Sequence, residues 1–531
     1  MRQPCDEVVM RAKPSDVPCK AESRHWILAA TILGSSMAFI DSTVVNVALP
    51  ALQATFHANV VDVQWVVESY GLFLSALILV GGALGDSVGR RAMFLLGVAV
   101  FAAASTGCGL SSSITSLVVW RCIQGIGAAF LVPGSLAIIS ASFDEKSRGQ
   151  AIGTWSGFTA ITTALGPVVG GWLIEHASWH WVFFINLPLA AAVIGMSLWH
   201  VSESHSSTAQ KLDWAGALMA TVGLAGLVYG FVESATLGWL HPRILGSLLT
   251  GFVCLVLFLV VEKRVAAPMV PLSLFKSRSF SGANFLTLFL YAALGIFFFL
   301  FPLNFIQIQG FSATVTGAAA LPMILLLFFL SRWSGGLVVR YGPRTPLIVG
   351  PLVAAIGFLL FAVPSTRANY WTTFFPAFMV LGLGMAISVA PLTTVVMGSV
   401  EEDRVGTASG INNALARVAG VMAVAVLGVV MVEAFGHRLQ ESLSSLALAP
   451  DILQGIRSDA AKLGGLGPPS NLDGKSAASV RTAVAQAFVF GFRVVMLLCA
   501  GLAAASAVVA LRMIPCPGPQ ARLSARKGKG G

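Results

Sequence analysis

Fourteen long apolar runs constrain the fold of this chain more than any other feature of its sequence. A helix needs about 20 predominantly apolar residues to cross the hydrocarbon core of a bilayer, and the runs have about that length. They are too long for the strands of a transmembrane barrel and lack their two-residue alternation. The runs lie at residues 26–48, 63–84, 92–111, 116–140, 150–174, 182–200, 214–233, 243–261, 282–304, 315–333, 346–363, 371–397, 408–433 and 487–511. The sequence therefore predicts an all-α membrane protein with 14 transmembrane helices.

The composition indicates the same class of protein. Only 11% of the residues are charged and the mean hydropathy is +0.83, whereas soluble domains carry roughly 25% charged residues. These values exclude a soluble globular protein, a disordered chain and a nucleic-acid-binding domain. The net charge of +10 does not point to nucleic acid, because the basic residues form short clusters between the apolar runs. The anionic face of a membrane accounts for such clusters.

The positive charges predict the orientation in the membrane. With the N-terminus inside, 23 of the 33 Lys and Arg residues fall in inner segments and 7 in outer loops, which is the bias of cytoplasmic loops. An even number of spans then leaves cytoplasmic tails at residues 1–25 and 512–531, and the long polar stretch 434–486 becomes an extracytoplasmic loop. The first 25 residues hold no apolar core, so no cleavable signal peptide is expected. We predict a multi-pass protein of the cytoplasmic (inner) membrane.

The chain also repeats itself at a nearly constant offset. The segment Gly82–Arg91 after the second run is echoed by Gly335–Arg344 after the tenth, and Gly125–Gly127 is echoed by Gly382–Gly384. Duplicated six-helix units are typical of secondary transporters. The echoes predict a 6+2+6 arrangement with an N-terminal half at 26–200, a two-helix insert with flanking loops at 201–281 and a C-terminal half at 282–511.

Three charged residues lie inside the apolar runs of the first half. They are Asp41 in the first run, Glu68 in the second and Arg121 in the fourth. Charged groups within a membrane are costly and usually functional, and the predicted orientation gives all three a similar depth of roughly 9–12 Å. We predict that they couple proton movement to a change of conformation. A static ion pair between helices is the structural alternative, and Glu68 could instead attract cationic substrates.

Other residues in the runs are candidates for a transport cavity or a hinge. Gly166-Pro167 and Gly170-Gly171 interrupt the fifth run, where glycine and proline allow close packing or bending, and plain helix packing is the alternative. The candidate polar residues of the cavity are Asn46, Gln124, Asn412, Asn413 and Arg417. Snorkelling or helix packing is the alternative for Arg417.

Signatures of enzymes and metal sites are not found in the sequence. It contains no nucleotide-binding loop, no zinc-protease motif and no nucleophile elbow. The seven cysteines form no CxxC motif and no Cys/His cluster, so we expect neither a disulfide framework nor a metal site. We predict that the protein is not an enzyme and uses no cofactor.

Five segments of the sequence resemble the signatures of a known family, the major facilitator superfamily. The resemblance is specifically to its 14-helix drug:proton antiporter branch. Gly82–Arg91 is similar to the signature of the loop between helices 2 and 3. Arg121–Gly127 is similar to that of helix 4, and Gly166–Gly171 to the antiporter signature of helix 5. Asp41–Pro50 resembles the helix 1 signature of the 14-helix exporters, and Trp179–Pro188 resembles their loop between helices 5 and 6.

The chain departs from this family at three positions. Ser87 and His180 stand where a basic residue is usual, and Val339 stands where the second-half loop would carry an acidic residue. The resemblance implies a major facilitator fold, with Asp41 and Arg121 taking part in proton coupling. It also implies that one loop gates the cytoplasmic side, through Gly82, Asp86, Gly89, Arg90 and Arg91.

These observations together predict a secondary active transporter. We expect it to export hydrophobic, often cationic, drugs or toxic compounds across the cytoplasmic membrane in exchange for protons, by alternating access. A proton-coupled transporter of a specific metabolite on the same fold is the alternative, which a substrate screen would distinguish. The predicted partners are small hydrophobic or cationic substrates, protons and the lipid bilayer, without nucleic acid. A periplasmic adaptor protein could contact the 434–486 stretch.

Overall fold

The computed structural model of the protein describes residues 23–143, 145–204, 213–265, 268–400, 405–444, 446, 449–469 and 472–515. Within these ranges, 14 helices are long and apolar enough to cross a membrane. They are α1 (Arg24–Phe56), α2 (Val60–Val88), α3 (Arg90–Gly109), α4 (Ile114–Ser142), α5 (Glu145–His176), α6 (Trp181–His200), α7 (Trp214–Leu237), α8 (Pro242–Arg264), α9 (Arg278–Leu303), α10 (Ala313–Ala319 continued by Leu321–Tyr341), α11 (Arg344–Phe361), α12 (Phe375–Gly398), α13 (Val405–Ser444) and α14 (Gly474–Met513). The predicted all-α membrane fold with 14 spanning helices is confirmed.

Several helices are longer than the apolar runs that predicted them. α1 continues through Pro50 to Phe56 and ends where His57 adopts a left-handed backbone with φ of 50°. α2 begins at a capping box, in which Asn59 and Asp62 each accept a hydrogen bond from the other's backbone N–H at 2.9 Å. The runs were shorter because hydropathy marks only the residues that suit hydrocarbon, whereas backbone hydrogen bonds and caps extend a helix beyond it.

The polar stretch 434–486 is not a single loop. α13 extends to Ser444 and α14 begins at Gly474, while a short helix (Pro450–Ser458) and a 3₁₀ turn (Ala460–Gly465) lie between them. Asp473 caps the start of α14 by accepting from the backbone N–H groups of Lys475 and Ser476. Hydrogen bonds from Ser476 and from these amides lower the pKa of Asp473. Because Asp473 caps the helix, α14 begins at Gly474, and the end of the stretch predicted as a loop is helical.

The described residues form two compact units. The first contains the chain up to residue 271 together with 305–318 and 450–469. In this unit α1 packs against α5, α4 packs against α2 and α3, and the α7–α8 pair lies against α2. Trp65 of α2 donates from Nε1 to the Glu233 carboxylate of α7 at 2.8 Å, which fixes the pair in place.

The second unit contains residues 272–304, 319–449 and 470 onward. In it α11 packs against α12 and α14, and α9 packs against α13 and α14. The predicted 6+2+6 division and its boundaries at 200 and 281 stay a prediction.

Equivalent glycines produce equivalent close contacts in the two units. A Cβ atom on Gly125 would lie 2.6 Å from the Tyr70 carbonyl oxygen of α2, and one on Gly382 would lie 2.9 Å from Met323 Cα of α10. Only glycine allows helix backbones to approach this closely. The contact at Gly125 matters for the site, because it draws α4 onto α2 one turn from Arg121.

Candidate functional site

A buried polar network joins α1 and α4 in the first unit. Arg121 donates from Nη1 to Asp41 Oδ2 in an ion pair, and the two side chains are 1% and 0% exposed. Gln124, one turn further along α4, bridges them, since its Oε1 accepts from Arg121 at 2.7 Å and its Nε2 donates to Asp41 Oδ1 at 2.8 Å. Both carboxylate oxygens of Asp41 are therefore occupied. Of the predicted residues, the structure brings Asp41, Arg121 and Gln124 together.

Contacts with α2 fix the position of the Arg121 guanidinium. Its Nε donates to the Val66 carbonyl at 3.0 Å, and its Cζ lies 4.2 Å from the centroid of the Tyr70 ring, in the range of a cation–π contact. The Tyr70 hydroxyl donates to the Ala38 carbonyl of α1 at 3.2 Å. The guanidinium is thus held by a carboxylate, an amide, a carbonyl and an aromatic ring at once.

A second layer of polar groups supports Gln124 from α3 and α6. Gln124 Nε2 donates to Ser105 Oγ at 3.3 Å, and Asn186 Nδ2 donates to the same oxygen at 3.0 Å. The Ser105 hydroxyl donates in turn to the Phe183 carbonyl at 2.8 Å. Our sequence reasoning missed Ser105 and Asn186 as site residues, although Asn186 lies inside the Trp179–Pro188 segment. The network therefore connects α1, α3, α4 and α6.

Glu68 of α2 stands apart from this network. It is 1% exposed, and neither of its carboxylate oxygens has a hydrogen-bond partner among the described residues. The expected three-residue cluster is thus a pair of Asp41 and Arg121 with Gln124. Asn46 also lies outside it, as its Nδ2 donates to the Ser42 carbonyl of its own helix at 3.2 Å. Because an unpaired buried charge is costly, Glu68 is suited to hold a proton or to meet a cation.

The glycines of the α5 motif face α1 directly beside the network. A Cβ atom on Gly166 would lie 2.3 Å from Thr43 Oγ1, and one on Gly170 would lie 2.1 Å from Val44 Cγ2. Thr43 and Val44 follow Asp41 by two and three positions. The motif therefore brings α5 into close contact with the part of α1 that carries Asp41.

The same motif faces the first part of α10 on its other side. A Cβ atom on Gly171 would lie 2.2 Å from the Ala313 carbonyl oxygen, and one on Gly317 would lie 1.9 Å from the Pro167 carbonyl oxygen. α5 runs through Pro167 as one helix, and a role of the motif as a hinge or a seal stays a prediction. The motif packs closely against α1 on one side and against the first part of α10 on the other.

The segment Gly82–Arg91, predicted as a loop, is almost entirely helical, because α2 continues to Val88 and α3 begins at Arg90 with only Gly89 between them. It holds a local ion pair. Arg90 Nε donates to Asp86 Oδ1 at 2.8 Å, one helical turn away, and both side chains are partly exposed. Gly89 has φ of 139°, which an L side chain rarely adopts. Gly82 makes only an ordinary contact, at 3.6 Å from Pro133 to a Cβ atom placed on it.

Glu203, just after α6, caps the start of α3 at this junction and was missed by our sequence reasoning. Its carboxylate accepts from the backbone N–H groups of Arg91 at 2.9 Å and Ala92 at 3.0 Å, at the start of α3. A Cβ atom on Gly89 would lie 2.9 Å from the Glu203 carboxyl carbon. An anion is favoured at a helix N-terminus. An acidic residue directly after the sixth apolar run was the only available signal.

Arginines cap a helix C-terminus in each unit. Arg91 Nη1 donates to the Val201 carbonyl after α6 at 3.1 Å, and Arg344 Nη2 donates to the Leu511 carbonyl near the end of α14. Arg278 Nη2 adds a bond to the Arg512 carbonyl at 2.7 Å. Basic side chains stabilise the carbonyl end of a helix. Arg91 and Arg344 thus bind backbone carbonyls at the ends of α6 and α14 in the same way.

The polar cluster of the second unit is neutral. Asn412 Nδ2 donates to Asn284 Oδ1 at 3.1 Å and to Thr287 Oγ1 at 2.7 Å, which joins α13 to α9. Asn413 is exposed and Arg417 is half-buried. The three charged residues predicted to couple protons, Asp41, Glu68 and Arg121, all lie in the first unit.

Comparisons with known proteins identify the family. A model described as Major Facilitator Superfamily matches residues 31–424. The chain is 33% identical over 504 residues to the Multidrug resistance protein Stp of Mycobacterium tuberculosis, covering 92% of this chain and 91% of that protein. It is 32% identical over 502 residues to the Tetracenomycin C resistance and export protein of Streptomyces glaucescens, with the same two coverages of 92% and 91%.

Solved structures show the same fold at low identity. A bacterial homolog of the human lysosomal transporter Spinster, inward-facing and unoccupied, matches with a TM-score of 0.62 and 17% identity, over 94% of this chain and 100% of that one. A D-xylose-proton symporter matches with a TM-score of 0.55 and 14% identity, over 92% and 98%. The prediction of a transporter rather than an enzyme is confirmed. By its matched family model and its relatives along nearly its whole length, this chain belongs to the Major Facilitator Superfamily.

Proposed function

We propose that the protein exports hydrophobic, often cationic, drugs or toxic compounds across the cytoplasmic membrane in exchange for protons, by alternating access. Relatives named for multidrug resistance and for tetracenomycin C resistance and export support this substrate class. The observation that carries the coupling is the buried Asp41–Arg121–Gln124 network, with the unpaired carboxyl of Glu68 on the neighbouring helix.

Asp41 is the proposed proton carrier of the network. While it is ionised, it neutralises Arg121 in a site without solvent. A proton on Asp41 removes that counter-charge, and Arg121 cannot compensate because arginine does not deprotonate in proteins. A buried charge without its partner is strongly unfavourable. Protonation of Asp41 therefore favours a conformation in which α1 and α4 are arranged differently around Arg121.

Glu68 is the proposed site of contact with cationic substrates. Its oxygens have no described partner, so a bound cation would supply the charge that the surroundings lack. Neutral substrates do not depend on this contact.

The orientation completes the proposal. We place both termini and the Gly82–Arg91 loop in the cytoplasm and the 434–486 stretch outside, because the distribution of Lys and Arg favours this topology. Reporter fusions after residue 25, within 262–281 and after residue 512 should report a cytoplasmic location. An external C-terminus would contradict the proposed orientation.

Transport in everted membrane vesicles tests the function. An imposed pH gradient, acidic inside, should drive uptake of several structurally unrelated compounds from a panel of cationic and neutral drugs. Vesicles without the protein, and vesicles whose gradient an uncoupler has collapsed, should show no gradient-driven uptake of these compounds. Uptake of a single metabolite alone would favour the alternative of a dedicated transporter on this fold. Uptake that ignores the gradient would contradict proton exchange.

A further inference from the structure

A cavity of about 600 Å³ lies in the first unit at the end of α1. Nine of its 16 lining residues belong to the segment 455–469, and the others belong to 50–58 and to Ile306 and Gln307. We call residues 450–469 the lid segment. It connects α13 to α14 but belongs to the first unit, and it lies outside the residues 31–424 that match the family model.

Buried apolar side chains fix the lid segment in place. Ile456 and Leu463 are 1% exposed and Leu466 is 5% exposed, and the 3₁₀ turn contacts α1 and α2. Leu463 adopts φ of 50° and ψ of −127°. A non-glycine residue with such a backbone is strained and persists only where its surroundings impose it. The turn is therefore held closed by packing rather than by its own preference.

A pair of glutamine side chains lies beneath this turn. Gln307 Nε2 donates to Gln53 Oε1 at 2.7 Å. Gln53 is 6% exposed, and both Gln53 Nε2 and Gln307 Oε1 lack a hydrogen-bond partner among the described residues. A Cβ atom on Gly464 would lie only 2.8 Å from Gln307 Oε1, so the turn covers the free acceptor closely. One donor, Gln53 Nε2, and one acceptor, Gln307 Oε1, thus remain without a described partner on two amides that are hydrogen-bonded to each other.

The charges that line the cavity provide no unpaired anion for a cationic occupant. Lys462 Nζ and Asp459 Oδ2 form an ion pair at 2.8 Å, so the lining carboxylate already has its counter-ion. The other walls include the apolar side chains of Ile306 and Ile456, prolines of α1 and of the lid segment, and His57 at the end of α1. The volume lies in the range of sites for drug-sized ligands. A free donor beside a free acceptor complements the carbonyl and N–H of an amide.

We infer that this cavity is a second binding site for export substrates, selective for neutral, amide-bearing amphiphiles, and that the lid segment closes over it. The inference rests on the proposed function and orientation, which place the lid segment on the extracytoplasmic side. When the turn lifts, Gln53 Nε2 and Gln307 Oε1 bind the amide of the ligand. Cationic substrates, which we assign to Glu68, bypass this site.

Thiol labelling tests the lid. Gln53→Cys, in a background with the native cysteines replaced by serine, should react slowly with a membrane-impermeant maleimide added from outside. Gly464→Val should speed this reaction by about five-fold, because its side chain crowds both Gln307 and Ile308 and the open population rises. Gly474→Val is the matched control, since this exposed glycine lies outside the lid segment and a Cβ atom there would meet nothing within 4 Å. Equal rates in the two valine variants would overturn the lid.

Binding to the purified protein tests the ligand class. Radiolabelled chloramphenicol is the neutral amide probe and tetraphenylphosphonium the cationic one. Gln53→Leu and Gln307→Leu should each weaken chloramphenicol binding by about ten-fold, corresponding to about 1.4 kcal/mol, and leave tetraphenylphosphonium binding unchanged. Gln150→Leu, at an exposed position of α5, should change neither.

Two results would overturn the site. One is wild-type protein that does not bind chloramphenicol, and the other is an equal loss of both probes in the glutamine variants. Neither result bears on proton-driven export, which is measured separately with tetraphenylphosphonium in vesicles. Loss of the site with that export intact refutes the inference alone, whereas absence of gradient-driven export refutes the proposed function.

Discussion

Arg121 of α4 and Asp41 of α1 form an ion pair that is almost completely shielded from solvent. Gln124 hydrogen-bonds to both partners, and the Val66 carbonyl and the Tyr70 ring complete the surroundings of the guanidinium. Removing one partner of such a pair typically costs about 3–5 kcal/mol, because the other charge stays buried without compensation. We therefore expect the arrangement of α1 and α4 to be sensitive to a single proton on Asp41.

Asp41→Asn should abolish uphill, proton-driven efflux while substrate binding stays measurable. Asparagine keeps the shape of the side chain and a hydrogen bond to Gln124, but it can neither carry the proton nor neutralise Arg121. The measurement is substrate-induced proton release from the purified protein in detergent. Proton release equal to that of the wild type would show that the proton is carried elsewhere and that the pair is structural.

The double variant Asp41→Asn, Arg121→Gln separates the two roles of this pair. It should regain thermal stability relative to Asp41→Asn, because no uncompensated charge remains. It should not regain proton release, since the titrating group is absent. Recovery of efflux in the double variant would contradict a coupling role for Asp41.

Glu68→Gln should reduce export of cationic substrates by about ten-fold, as expected for the loss of about 1.4 kcal/mol of interaction. Neutral substrates should be affected much less. The fold should be kept, because no described residue hydrogen-bonds to the Glu68 carboxylate and glutamine has nearly its shape. Initial rates of tetraphenylphosphonium and chloramphenicol export from cells carrying equal amounts of protein would be compared. An equal reduction for both compounds would exclude a role in charge recognition.

Glu203→Gln should destabilise the inner end of α3. The variant loses an anion that accepts two backbone N–H groups at a helix N-terminus, and such caps contribute about 1 kcal/mol. The thermal midpoint in detergent should fall, and Glu441→Gln at an exposed position provides the matched control. An unchanged midpoint would show that the loop is held in place without Glu203.

Asp86→Asn should act on transport more than on stability. Its ion pair with Arg90 is partly exposed, and exposed pairs contribute about 0–1 kcal/mol. A slower export rate at a nearly unchanged thermal midpoint is the expected result, because the proposed gate function of Asp86 lies in changing conformational populations. Normal export would indicate that this loop only anchors the inner ends of α2 and α3.

The sequence was sufficient to predict the helices because hydropathy over about 20 residues is set locally. It was also sufficient to select Asp41 and Arg121, since charged residues in apolar runs are rare. The sequence did not show that Glu68 lies outside the Asp41–Arg121 pair. Residues at an equal depth in the membrane can point in different directions from their helices.

Contacts between distant residues were beyond sequence reasoning. Gln53 and Gln307 are 254 positions apart, and Glu203 is 112 positions from Arg91. Glutamine and glutamate at the end of an apolar run look like ordinary solvent-facing residues. Only tertiary packing shows that Gln53 is buried and that Glu203 caps α3. The cavity under the lid segment follows from the same packing and had no signal in composition or periodicity.

Gly171→Ala tests whether close packing of α5 is required for transport. A Cβ atom at this position would lie 2.2 Å from the Ala313 carbonyl oxygen, which is backbone and cannot rotate away. α5 and the first part of α10 must therefore separate, and we expect a lower thermal midpoint together with slower export. Gly157→Ala is the matched control on the same helix, since a Cβ atom there meets nothing within 4 Å. Alanine generally favours a helix over glycine, so Gly157→Ala should be neutral or stabilising. If the two variants behave alike, the motif does not act through close approach of the helices.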